Sequence, residues 1–252
     1  MSKTRLRIGI ICEGPTDFVV IRAFVGASLT AEGVDAEIID IQPEMDGKAA
    51  GAHAGWGNIE QWLLRNPPDR RVREFLRGGL FMHDLHAKAC DVMLIQMDAD
   101  ILDEPGFQTR MFHAHGMTVI PPAEPADRGA VVCNILARWA RLDACSDADT
   151  RRHLLVPAVE STETWCLAAF RDHPDNVERL RGDELNRAFM DAVLLSERRP
   201  TGIATEIDKD PKRREKFCRL HAQGHGRLRR QCGHFDQAVV ALVNHNGAGE
   251  SV

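Results

Sequence analysis

The stretch "DVMLIQMDAD", Asp91 to Asp100, limits the fold of this chain more than any other. Its apolar run is broken only by Gln96 and lacks the in–out alternation of a strand with one face in water. It reads as a central strand covered on both sides, ending in acid. Leu6 to Cys12 is a second such run, β-branched and closed by Gly14-Pro15. Val34 to Ile41 ("VDAEIIDI") and His153 to Glu160 ("HLLVPAVE") read as two further strands. Helical spacing follows several of them: Phe18, Ile21, Phe24 and Val25 behind a Thr16 or Asp17 cap, then Asp127 to Leu142, then Thr162 to Phe170. Strands alternating with helices predict an α/β fold with a largely parallel sheet flanked by helices. Residues 44–57 read as a loop, and 58–89 as two or three short helices. Gly106 to Gly116 carries no decisive pattern, and Met117 to Pro122 reads as a strand or edge segment.

At 252 residues the chain buries a sizeable core. The expected division is an α/β domain over 1–170, with a helical insertion at 44–89, and a basic, mostly helical extension over 171–252 packed on it. No apolar run reaches the roughly 18 residues of a membrane span, and no signal peptide is evident, so a cytoplasmic protein without membrane contact is expected. Seven scattered cysteines without a CxxC pair read as reduced thiols. Between Arg198 and Arg230 there are eleven Lys or Arg against four acids, a net +7 on a chain of net −5. Such a segment is either a phosphate-binding surface or a solvated helical face.

Three of the strands end in paired acids: Glu13 with Asp17, Asp98 with Asp100, and Glu160 with Glu163. Ligands in open α/β sheets gather at the carboxyl ends of strands. Carboxylates packed closely repel, and a divalent cation holds them together. All-oxygen donors suit Mg²⁺ or Mn²⁺ rather than zinc. The plainer reading is that such acids cap helices and sit in solvated loops.

"IICEGPTD" followed by "LIQMDAD" resembles the Toprim domain, whose signature is an EGxTD-type turn after the first strand and a DxD after a later one. "VPAVESTETWCLAAF" is further similar to small stand-alone Toprim-like proteins related to the overcoming-lysogenization-defect nucleases. The resemblance spans roughly residues 5–170; the 44–89 insertion departs from a minimal Toprim domain, and 171–252 matches nothing comparable. It implies a metal-dependent nuclease or phosphoryl-transfer protein acting on DNA or RNA, working with a partner ATPase in phage defence. Glu13 would then be the acid/base or metal-proximal glutamate, and Asp98 and Asp100 metal ligands. Asp17 would be an outer or second-metal ligand, with Glu160 and Glu163 completing a second metal site. The chain has no tyrosine, which excludes tyrosine-dependent strand transfer by this chain alone.

Lys209, Lys212, Arg213 and Arg214 are the candidate nucleic-acid contacts, and Trp56 a candidate base-stacking residue. Cys218, His221, His225 and Cys232 form a weaker candidate zinc set, interrupted by glycines. The alternatives are a non-catalytic nucleic-acid or ATPase-binding subunit and a DxD nucleotide-sugar transferase. The latter leaves the Glu13–Asp17 turn unexplained.

Overall fold

The computed structural model describes residues 5–45, 55–76, 88–173, 175–202 and 209–248. Four strands form one parallel sheet in the order β2-β1-β3-β4: β1 Leu6–Ile11, β2 Ala36–Gln42, β3 Val92–Asp98 and β4 His153–Ala158. The helices are α1 Pro15–Ala31, α2 Trp56–Arg65, α3 Pro68–Glu74, α4 Pro105–His115, α5 Pro125–Trp139 and α6 Asp147–Thr150. Then follow α7 Thr162–Phe170, α8 Gly182–Ser196, α9 Pro211–His221, α10 His225–Gln231 and α11 Gly233–Ala248. This is the α/β architecture with helix-flanked parallel sheet that the sequence predicts. No helix among the described residues is long and apolar enough to cross a membrane.

β3 explains the layering. Successive strand side chains point to opposite faces. Val92 and Leu94 enter a core with α1, α7, α8 and the C-terminal helices, while Met93, Ile95 and Met97 enter a second core with α2, α4 and α5. Both sets are fully buried, each large side chain contributing about 1.5–3 kcal/mol. Beside it, Gly9 of β1 has no room for a side chain, because a Cβ there would lie 2.3 Å from Ile41 Cδ1 and 2.9 Å from Cys90 Sγ.

The C-terminal helices share the first core with the strands: Phe217, Leu228, Phe235 and Leu242 pack in the same cluster as Ile8 and Phe24. Much of the basic segment is matched by acids. Arg213 meets Glu197 at 2.8 Å, Arg214 meets Glu163 at 2.6 Å, and Arg229 meets both Glu32 and Asp236, while Glu215 of the same segment pairs with Arg22 of α1 at 2.6 Å. The positive charge between Arg198 and Arg230 therefore serves in good part to dock these helices.

Two segments differ from the sequence reading. Met117 to Pro122 forms no strand: Pro121 and Pro122 cannot donate to a ladder, and Ile120 stands 77% exposed as the chain crosses from α4 to α5. Gly106 to Gly116 lies in and just after α4, which starts with Pro105 at its first turn and ends on Gly116 in the left-handed conformation. Of the expected insertion, α2 and α3 are seen, and 46–54 and 77–87 lie outside the described residues.

Candidate functional site

The chain leaves β1 through Cys12 and Glu13, and Gly14 caps α1 with Pro15 just inside it. Asp17 thus falls in the first turn of α1, buried, where the Thr162 hydroxyl donates to its Oδ1 at 2.7 Å. β3 runs out at Asp98, and Asp100 opens a short 3-10 turn (Asp100–Asp103). Glu13 Oε1 accepts the Asp98 amide at 3.0 Å, so the ends of β1 and β3 are tied side chain to backbone. Gln96 donates to Asp98 Oδ1 at 2.7 Å from the same face of β3.

After β4, Glu160 takes a left-handed backbone (φ 62°), rare for a residue with a side chain and costing about 1–3 kcal/mol. The turn aims the Glu160 carbonyl at β3, where it accepts the amides of Ala99 (2.8 Å) and Asp100 (3.0 Å). Three strand ends thereby converge on one cavity of about 410 Å³. It is lined by Glu13, Asp17, Asp98, Asp100, Glu160 and Glu163, with Trp56 and Glu104 on one side and Leu185, Asn186 and Lys209 on the other.

These acids divide into two kinds. Glu160 Oε1 lies 2.9 Å from Arg128 Nε and 3.3 Å from Arg181 Nε. Glu163 Oε1 accepts from Arg214 Nη2 at 2.6 Å. Burial would raise Glu163, but the Arg214 guanidinium outweighs it and holds the carboxyl below its ordinary value. Glu160 stays raised by burial, against the pull of Arg128 and Arg181.

Glu13, Asp17, Asp98 and Asp100 have no Lys, Arg or His nitrogen within salt-bridge distance among the described residues. Burial, then the charge of Asp17, pushes Glu13 far above its ordinary value. Burial, then Asp17 and Glu13, does the same to Asp98. Asp17 rises to about 6, through burial and then Glu163. Asp100, at the solvent-exposed mouth yet ringed by protein, rises to about 7 through desolvation and the charges of Glu160, Glu163 and Glu104. Four carboxyls crowded in this way cannot all ionise together at little cost.

No protein-family model matches this chain, nor does any curated protein or solved structure. Its chemistry is therefore read from the side chains themselves. Among the described residues no three His, Cys, Asp or Glu side chains already stand closed around a common point as a ligand set.

The other candidate residues separate. Lys209 lines the cavity, and Lys212 is exposed at the start of α9. Arg213 is paired with Glu197. Arg214, expected at a nucleic-acid surface, is instead buried, stacked 4.3 Å over Phe189 and committed to Glu163. The candidate zinc set diverges: Cys218 Sγ lies 3.9 Å from Cys166 Sγ, and His221 bonds Ser196 at 2.7 Å. Trp56 is fixed at the cavity wall, its Nε1 donating to Glu104 at 3.2 Å and its ring edge-on to Phe107. Sequence reasoning missed Arg128, which is wholly buried. A signal was present, since Arg128, Val132, Ile135, Leu136 and Trp139 lie on one apolar stripe of α5 and an arginine there needs a buried partner.

Proposed function

We propose that this is a Toprim-like, metal-dependent phosphodiester hydrolase acting on nucleic acid. The observation that carries it is the set Glu13, Asp17, Asp98 and Asp100, four carboxyls with no ion-pair partner among the described residues, on the carboxyl edge of a parallel sheet. Hard oxygen donors and unbalanced negative charge fit Mg²⁺ or Mn²⁺. Glu160 and Glu163 are left out of the donor set, because arginines already pair with an oxygen of each. A divalent ion bound there supplies Lewis acidity toward a phosphoryl oxygen and a more acidic water.

The chain's residues carry the proton traffic. The oxygen of water forms the new P–O bond as the ester P–O bond breaks. An ionised carboxylate of the four takes the proton of the attacking water. The Asp98 amide occupies Glu13 Oε1, so Glu13 Oε2 is the oxygen that carries a proton to the leaving alcohol. Gly14 lets the backbone approach the phosphate, and Lys209 faces the charge that develops on it. The products are a phosphomonoester and an alcohol.

Labelled DNA and RNA incubated with Mg²⁺ or Mn²⁺ test the reading. Cutting is expected, and Glu13→Gln and Asp98→Asn are expected to reduce it at least about 100-fold with the fold retained. Activity indifferent to both substitutions, or none on any nucleic acid, would refute it.

A further inference from the structure

Among the described residues the cavity wall offers one aromatic side chain, Trp56, and one cationic side chain, Lys209. Trp56 is held in place by Glu104, Phe107 and Trp139 rather than free to swing. A fixed indole face suits one stacked base, and one ammonium suits one phosphate. The volume of about 410 Å³ lies in the range of small-molecule pockets. A base inside a duplex is already stacked on both faces, so one that stacks on Trp56 must first be unpaired and unstacked.

The surroundings point the same way. Proteins that track a long strand use a continuous positive groove with successive aromatic platforms. Here Arg213, Arg214 and Arg229 are engaged with acids of the same chain.

We infer that the cavity receives a single-stranded terminus of DNA or RNA and holds one nucleotide at a time, its base on Trp56 and its phosphate between Lys209 and the four carboxyls. This rests on the hydrolase reading above. Water adds across the terminal phosphodiester, so the P–O bond to the remaining strand or to the departing nucleotide breaks and one mononucleotide leaves per turnover. Asn186, also on the cavity wall, is placed to meet the edge of that base.

The test compares an end-labelled linear single strand, the same sequence closed into a single-stranded circle, and a blunt duplex, as DNA and as RNA, in Mn²⁺. The linear strand should shorten stepwise with release of mononucleotides, and the circle should react at least 100-fold more slowly. Trp56→Ala should raise KM about 5- to 150-fold with kcat changed only a few-fold, the loss of one stacking contact. Trp56→Phe, which keeps a ring and the packing on Phe107, should recover most of it. A circle cut as fast as the linear strand would overturn the terminus inference and leave the hydrolase reading standing. A kcat loss without a KM change in Trp56→Ala, or Phe failing to rescue, would remove the base from Trp56. Failure to cut any strand with either ion would overturn both readings.

Discussion

Asp17→Asn should make the metal-free protein more stable, although it removes a residue of the candidate site. In the fold Asp17 titrates near 6, against an ordinary 3.8. A carboxyl raised in this way binds its proton more tightly folded than unfolded. Its ionisation therefore opposes folding from about pH 4 upward, and the opposition is complete above pH 6. The gap between 3.8 and about 6 corresponds to about 3 kcal/mol at pH 7.5. Asn keeps an oxygen for the Thr162 hydroxyl, but its buried NH₂ lacks a partner and returns about 1–2 kcal/mol. The net gain is about 1–2 kcal/mol. Urea unfolding in EDTA at pH 7.5 and pH 4.5 measures it, and the electrostatic part should shrink by about two-thirds at the lower pH. Saturating Mg²⁺ should narrow or reverse the difference, since a cation bound at about 100 times its Kd stabilises the wild type by about 2.7 kcal/mol. A variant no more stable than wild type at pH 7.5 in EDTA, or equally favoured at both pH values, would refute the reasoning.

Three further outcomes follow from the geometry. Arg214→Met should cost about 3–5 kcal/mol by leaving Glu163 buried and unpaired, and adding Glu163→Gln should recover much of that in denaturant titration. Gly9→Ala should lower stability by at least about 1–3 kcal/mol, since its Cβ overlaps Ile41 and Cys90; an unchanged unfolding midpoint would count against the tight approach of β1 to that layer. Mg²⁺ or Mn²⁺ affinity should fall as pH drops through 7 to 6, where Asp100 and then Asp17 take up protons, as calorimetry at pH 8, 7 and 6 would show.

β3 was readable because a strand buried on both faces leaves a nearly unbroken apolar run, Val92 to Met97 with only Gln96 polar, whereas β2, half-buried, showed itself by β-branched residues between turn signals. The placing of acids at the ends of β1, β3 and β4 was readable for the same reason. α4 was not, because only Phe107 and Met111 of its eleven residues are buried, too few to set a period. What each acid does was also hidden. Glu163 and Asp17 look alike in sequence, yet one faces Arg214, 51 residues away, and the other faces no guanidinium at bonding distance. Pairing across the chain is decided by packing, and local pattern carries no record of it. Likewise the surplus charge of α9 and α10 looked like a ligand surface because the acids that meet it, Glu32, Glu197 and Asp236 among them, are distributed along the chain.

The turn at Glu160 has a consequence for which substitutions the chain tolerates. Its backbone angle favours glycine, and glycine would relieve the local cost. Glycine would also take the carboxylate away from Arg128 and Arg181, one of them wholly buried. Two pressures at one position thus point in opposite directions. Arg128 also holds Asp103 at 2.7 Å and the Ala99 carbonyl at 2.8 Å, so glycine at Glu160 weakens its pairing without leaving the guanidinium unpaired. The conformation of the turn is held by its carbonyl on the Ala99 and Asp100 amides together with the charge of Arg128 on α5, rather than by the preference of the residue that adopts it.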